Sequence, residues 1–189
     1  MTACLIPICP CFSIVVTPYA VRMESKEEAR GRFRKLRVRA QSPDRTAPGR
    51  ALLQIAEVVN AKLIASFQSY GDEPDTFALH EHLLSAGKRI FLPRMNSDKT
   101  LTWLEHGSEV PASDLTSIDV VIVPALAIDS RGVRLGQGGG SFDRALAQLS
   151  GWKIALIDSV CLSSEDLPED KHDIRVNAVA TELGITRFI

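Results

Sequence analysis

The chain has 189 residues, 45% hydrophobic and 24% charged, with a formal net charge of −1. That length and balance support one folded domain with a sizeable core and exclude a disordered or low-complexity polymer. A net charge so close to zero exerts no global pull toward nucleic acid or an anionic membrane, so any electrostatic recognition must come from local patches.

Residues 1–22 stand apart. The apolar run from Leu5 to Val21 is broken by Pro7, Pro10 and Pro18, and no basic residue precedes it. It fits neither a signal peptide nor a spanning helix of about 20 apolar residues well, which leaves a weak export or anchoring signal as the lesser reading. Met23 sits directly before a helical pattern and reads as the initiator. Residues 1–22 are then a disordered extension or a mis-assigned start ahead of a single α/β domain over 23–189. Cys4, Cys9 and Cys11 lie in that segment with no His or Cys following at ligand spacing. Only Cys161 remains in the folded part, which excludes a disulfide framework and favours a reducing cytoplasm.

From Glu24 to Arg39 the chain is predicted helical, with only Gly31 opposing. Residues 48–62 read as a second helix, with Leu52, Ile55, Ala56 and Val59 on its buried face. Leu63 to Phe67 reads as a strand. Asp75-Thr76 then caps a helix that stops at Gly87, a natural position just past a helix end. Arg89 to Pro93 and Leu101 to Glu105 read as strands. Ile118 to Leu126 is a β-branched run typical of a strand buried on both faces. A glycine-rich loop, a helix from about Phe142 to Leu149, a strand from Lys153 to Asp158 and a last strand from Ala178 to Glu182 complete the order. Strands alternating with helices predict a mostly parallel sheet covered on both sides, with ligands at the carboxyl ends of the strands.

The glycine loop carries most of the functional signal. Gly136, Gly138, Gly139 and Gly140 occupy four of five positions between a strand and a helix, with Arg134 before them and Asp143 after. Glycine lets backbone approach a ligand and curl its N–H groups around an anion, and the following helix offers further unpaired N–H groups. Arg134 supplies a cation for phosphate and Asp143 a carboxylate for a metal. No Gly-Lys-Ser/Thr follows at P-loop spacing, and Ser141 stands where a dinucleotide fingerprint wants Gly or Ala. A plain flexible connector is the other reading, but ordering four glycines costs roughly 0.5–1 kcal/mol each, which a connector does not require.

Further groupings have more than one reading. Lys26, Arg30, Arg34 and Arg37 recur four, four and three apart, on one helical stripe. The stripe can clamp a polyphosphate, or be a solvated face; a nucleic-acid-binding arm is a third option, although no aromatic ladder accompanies it. In Ser69-Tyr-Gly-Asp-Glu-Pro-Asp-Thr76, Glu73 can accept hydrogen bonds from a heterocycle or be an exposed acid in a capped loop. His172-Asp173 reads as a surface turn, or brings Asp173 to a metal from the far side; Trp103 reads as core or pocket wall, with a stacking platform as the other reading. His80 and His82 do not share a helix face, which argues against a metal pair.

Read in order, these residues resemble the 5-formyltetrahydrofolate cyclo-ligase (methenyltetrahydrofolate synthetase) family from about Lys26 to the C-terminus. The resemblance lies in Lys26-x-x-x-Arg30, Glu73 in Glu-x-Asp-Thr, Gly87-Lys-Arg…Leu-Pro93, Asp119…Val-Pro124…Asp129…Gly132-x-Arg134-Leu-Gly136-x-Gly-Gly-Gly…Asp143-Arg144, and His172-Asp173. It implies a three-layer α/β sandwich with a mostly parallel central sheet, of NagB/RpiA/CoA-transferase-like architecture. It also implies an ATP- and Mg²⁺-dependent closure of 5-formyltetrahydrofolate to 5,10-methenyltetrahydrofolate. The formyl oxygen attacks the γ-phosphate, and N10 then closes the ring with loss of phosphate. By resemblance, ATP would be held by Lys26, Arg30, Arg134, Leu135, Gly136, Gln137, Gly138, Gly139, Gly140, Ser141 and Phe142. The folate would be held by Gln68, Tyr70 and Glu73, with Arg134 and Glu73 positioning the reactants, and Mg²⁺ by Asp143 and Asp173. A cytoplasmic monomer acting on small molecules, with no nucleic-acid or membrane partner, is the corresponding expectation. The chain departs from the family pattern at Ser141 and Phe142, where two aromatics are usual, and in the short stretch between Trp103 and Ile118. A nucleotide-binding relative with another substrate or a regulatory role is the alternative these departures leave open.

Overall fold

The computed structural model describes residues 24–40 and 42–188. The proline-interrupted segment, its three cysteines and Met23 lie outside the described residues. A seven-stranded sheet runs in the order β3-β2-β1-β4-β7-β8-β9. Its five inner strands are β2 (Arg89–Met95), β1 (Leu63–Ala65), β4 (Val120–Pro124), β7 (Trp152–Leu156) and β8 (Ala178–Thr181). They are mutually parallel. The edges, β3 (Leu101–Glu105) and β9 (Gly184–Arg187), close by antiparallel hairpins. The β-branched run beginning at Ile118 becomes β4, the middle strand of the sheet. Val120 and Ile122 face one core and Val121 and Val123 the other. A strand buried on both faces reads as continuous hydrophobicity rather than alternation, as this one does.

Helices α2 (Ala47–Leu52), α3 (Ala56–Asn60) and α4 (Phe77–Ser85) cover one face through Leu52, Val58, Leu79 and Leu83. Helix α5 (Ser141–Leu146) covers the other through Ala145, Leu146 and the following Leu149. The layers are therefore helix, sheet, helix. The single helix expected over residues 48–62 is two. Ile55 adopts an extended backbone as the N-cap of α3, which resets the helical phase. In consequence Val58 is buried and Val59 is 55% exposed, the reverse of the predicted face. The amine of Lys88 donates to the carbonyls of Val59 and Ala61 and closes this second piece. Helix α4 ends as predicted. Gly87 N–H donates to Leu84 and Lys88 N–H to Leu83, the paired bonds of a Schellman motif. At its start Asp75 accepts from Phe77 N–H, while the hydroxyl of Thr76 turns away to accept from Ser69 N–H.

Two elements escaped the sequence reading. The hairpin strand β9 follows Gly184, whose φ of +120° makes the turn. A small ribbon pairs β5 (Ala127–Ile128) with β6 (Arg134–Leu135), off the main sheet and just beyond β4. Asp129 organises its turn by accepting from the amides of Arg131, Val133 and Leu167. Gly132 there has φ +75°, and a Cβ on it would stand 2.6 Å from the Val176 carbonyl. Helix α1 (Lys26–Arg39) packs Ala29 and Phe33 on this ribbon, not on the sheet. Ser25 and Glu28 form a capping box at its start.

Buried within α4, His80 pairs its Nε2 with the Ser66 hydroxyl at 2.8 Å. Burial, with the nearby charge of His106, lowers its pKa from 6.5 to about 4. As pH falls, the unfolded chain therefore takes up the imidazole proton first. The stability held by neutral His80 is whole above about pH 6.5 and drains away toward about pH 4. The total loss across that window is expected on the order of 3 kcal/mol. Urea unfolding of the native chain and of His80→Gln between these limits checks this, because the difference between the two curves should shrink as the medium is acidified.

Candidate functional site

At the carboxyl ends of β2 and β4 a cleft of about 990 Å³ opens. Its walls include Lys26, Arg30, Glu73, Met95, Pro124, Arg134, the run from Leu135 to Asp143, and Asp170 to Ile174. Lys26 and Arg30 of the basic stripe on α1, the glycine loop, Glu73 and the His172-Asp173 turn, scattered through the sequence, thus meet around one space. Gln68 and Tyr70 are not among its lining residues, and Tyr70 is 87% exposed.

The stripe on α1 is engaged with protein along its length, although Arg34 stays exposed. Arg30 Nε donates to the Gly136 carbonyl at 3.0 Å, and an Arg34 amine donates to the Gln137 carbonyl at 3.0 Å. Arg37 is buried and donates to the Ala125 carbonyl. In a trans peptide the carbonyl of one residue and the N–H of the next point opposite ways. Holding the carbonyls of Gly136 and Gln137 against α1 therefore turns the N–H groups of Gln137 and Gly138 away from it. Among the described residues, the amides from Gly136 to Gly140 have no hydrogen-bond acceptor. The loop is also squeezed from behind: a Cβ on Gly136 would stand 3.1 Å from the Arg134 guanidinium. Gly138 and Gly140 have φ of +109° and +63°, which L side chains rarely adopt. Gly139 does not, and a Cβ there would meet nothing nearer than the Ser141 hydroxyl at 3.8 Å. Helix α5 is only six residues long. The anion-binding character expected there comes from the loop more than from a helix dipole.

Two ion pairs join the groups that the sequence suggested for phosphate with those it suggested for metal. Arg134, 5% exposed, donates to Asp143 and to the Pro124 carbonyl. Lys26 lies 2.6 Å from Asp170 and also pairs with Asp173. Burial alone would lower the Lys26 pKa, but hydrogen bonds and charge from Asp170 and Asp173 outweigh it, and the net shift is upward. Arg134 Nε and the Ser141 hydroxyl are buried at the loop without a partner among the described residues. Polar atoms left so are costly unless something arrives to satisfy them. At the far wall, burial pushes the Glu73 carboxyl up, against the Tyr70 N–H bond and the charges of Arg37 and Arg45. Phe142 sets its edge against Trp103, with ring centroids 6.2 Å apart at 84°. Trp103 is 3% exposed, which makes it a buried support for the cleft wall.

The reading of the sequence missed Asp170, Met95 and Arg45. Asp170 had a signal, its three-residue spacing from Asp173 within one turn. Arg45 had none. It lies in the connection between α1 and α2, and only the fold brings it to the loop that carries Glu73. No helix among the described residues is long and apolar enough to cross a membrane.

Comparison with known proteins gives a consistent picture. The model of the 5-formyltetrahydrofolate cyclo-ligase family matches residues 22–182. The chain is 34% identical over 145 residues to a 5-formyltetrahydrofolate cyclo-ligase of Escherichia coli, covering 66% of this chain and 80% of that one. It is 31% identical over 146 residues to one of Mycolicibacterium smegmatis, covering 65% and 75%. In fold it is similar to a 5,10-methenyltetrahydrofolate synthetase from Aquifex aeolicus, with a TM-score of 0.70, 24% identity and coverage of 86% and 92%. A synthetase of the same description from Mycoplasma pneumoniae gives a TM-score of 0.71 at 21% identity, covering 84% and 99%.

The Arg134–Asp143 pair is testable as a structural strut. Arg134→Met should cost about 1–3 kcal/mol, because it strands the Pro124 carbonyl and leaves Asp143 without its cation. Combining it with Asp143→Leu should cost clearly less than the two single changes added together. Denaturant midpoints of the four proteins decide this, and strict additivity would show that the pair does not act as a unit.

Proposed function

The chain belongs to the 5-formyltetrahydrofolate cyclo-ligase family, and from that premise we propose that it converts 5-formyltetrahydrofolate and ATP to 5,10-methenyltetrahydrofolate, ADP and phosphate. One observation carries the reading. The amides of Gly136 to Gly140 are unengaged among the described residues, while arginines of α1 hold the carbonyls of the same loop. A triphosphate is a ligand that row of donors suits. Lys26 and Arg30 flank it, and Leu135, Gln137, Ser141 and Phe142 complete the nucleotide end of the cleft. Arg134 acts from behind, bracing the loop through Pro124 and Asp143.

Asp143 and Asp173 line the same cleft and offer carboxylate oxygens. Mg²⁺ suits such a site, because it takes one or two protein carboxylates and completes its shell with phosphate and water. When bound there, the ion would neutralise charge on the phosphates. At the other wall Glu73 accepts N–H groups of the pterin. Gln68 and Tyr70 lie outside the cleft lining; Tyr70 contributes through its backbone, its N–H donating to the Glu73 carboxylate at 3.0 Å.

The chemistry needs little covalent help from the protein. The formyl oxygen takes the γ-phosphoryl group and ADP leaves. N10 then attacks the activated carbon, and the oxygen departs with phosphate. Such transfers depend on in-line positioning and on donors already oriented toward the phosphates, which a braced loop provides. Lys26 and Arg30, at the phosphate end, oppose the charge that accumulates on the transferred group. In the same reading the protein acts as a cytoplasmic monomer; Cys161, buried and unbridged among the described residues, suits a reducing compartment.

The decisive experiment is turnover of 5-formyltetrahydrofolate, followed by methenyl absorbance in the near ultraviolet, which should require both ATP and Mg²⁺. ATP binding without turnover would point to a relative with a different substrate. Asp143→Asn should keep the fold at some cost in stability, since the amide oxygen still accepts from Arg134 but its charge is lost, and it should slow turnover by about a hundredfold. Gly139→Val should leave thermal stability unchanged and weaken ATP at least about tenfold, because its branched side chain enters the cradle. ATP affinity unaltered in that variant would remove the loop from the nucleotide site.

A further inference from the structure

We propose that Arg45, which is not a lining residue of the cleft, is a positioning residue for the folate end, fixing Glu73 through the backbone of its loop. The inference rests on the reading of Glu73 as a substrate contact. Arg45 grips the segment between β1 and α4 in three ways. Its guanidinium donates to the Gly71 carbonyl at 2.7 Å and to the Glu73 carbonyl, with Nε 3.1 Å from the latter. Its own carbonyl accepts from Asp75 N–H at 2.8 Å. The loop therefore has carbonyls on either side of its apex tied to one planar fork, and its outgoing strand tied to the same residue's main chain.

Further bonds shape the loop locally. Ser69 and Thr76 exchange side-chain and backbone bonds across its neck, and Tyr70 N–H meets the Glu73 carboxylate. They set its shape but not its place relative to the cleft. Arg45 supplies that placement, because it stands on the connection leading into α2, an element packed on α4 and the sheet. Its own position is set by its neighbours: Asp44 accepts from Thr46 N–H at 3.0 Å and pairs with Arg50 at 2.6 Å. A lysine has one ammonium in place of the fork, so it can keep the charge but not all three side-chain bonds.

The test is a KM-against-kcat comparison for Arg45→Met, Arg45→Lys, Glu73→Gln and Arg45→Met/Glu73→Gln, with the KM for ATP measured alongside. Arg45→Met should raise the KM for 5-formyltetrahydrofolate about ten- to a hundredfold with the KM for ATP unchanged, and Arg45→Lys should recover part of it. In the Glu73→Gln background the Arg45 change should add little, since both act through one group. Calorimetric titration of 5-formyltetrahydrofolate with ADP present supplies a readout independent of turnover. Two outcomes overturn the inference while sparing the role of Glu73: Glu73→Gln weakens folate and Arg45→Met does not, or the two effects simply add. An equal rise in both KM values for Arg45→Met overturns it as well, by exposing a general structural role. A Glu73→Gln variant with unaltered folate KM overturns instead the reading of Glu73 on which it stands.

Discussion

The hold of α1 on the glycine loop is the constraint on which the rest of the cleft depends. Four glycines in five positions have many conformations, and a loop left to itself would not present a row of donors in one direction. The arginines remove that freedom from one side only. Arg30 and Arg34 fix two successive carbonyls, and Arg134 fills the space behind Gly136. What remains exposed is the opposite edge of those peptides, their N–H groups. The order obtained this way offsets part of the conformational entropy the glycines would otherwise retain, before any ligand arrives.

The charges around the cleft follow the same economy. Lys26 and Arg134 already have carboxylate partners in Asp173 and Asp143, and each pair is at least partly buried. An isolated cation of this kind would lose hydration with nothing in return, so pairing is what lets it be there at all. If those partners are the carboxylates that take the proposed Mg²⁺, an anion and a cation entering together would satisfy all four groups. Either alone leaves one member of each pair without its counter-charge. The two orphaned polar atoms at the loop, Arg134 Nε and the Ser141 hydroxyl, fit a site built to be completed from outside.

Much of this was legible in the residues. The β-branched run beginning at Ile118 could hardly be anything but a central strand, and it is β4. The glycine run announced a backbone that other residues cannot follow: Gly138 and Gly140 have positive φ and Gly136 lies against the Arg134 guanidinium. What the sequence hid falls into two kinds. Short elements without periodicity, such as the ribbon of β5 and β6, carry too few residues for any pattern to emerge. The split between α2 and α3 turns on one residue, Ile55, whose extended backbone shifts Val58 into the core in place of Val59. Helical spacing alone predicts an unbroken face and cannot see such a reset. The second kind is long-range. The stripe of four cations on α1 was read correctly as a stripe, but whether it met phosphate, water or protein depended on what the fold laid across it.

Arg37 shows why that ambiguity was physical and not a shortage of pattern. It continues the spacing of Lys26, Arg30 and Arg34, yet it is 4% exposed and spends a donor on the Ala125 carbonyl. Along one helix face the environment therefore changes from the cleft at Lys26, through the loop's carbonyls at Arg30 and Arg34, to the buried end of β4 at Arg37. Similar cations along one helix perform three jobs because α1, packed on the ribbon, passes from the cleft past the loop's carbonyls to the segment just after β4. A solvated stripe would have kept all four guanidinium and ammonium groups in water at almost no cost. Burying one and binding two to main chain is worthwhile only where the main chain itself must be held still, and the segment held here is the one whose amides face the cleft.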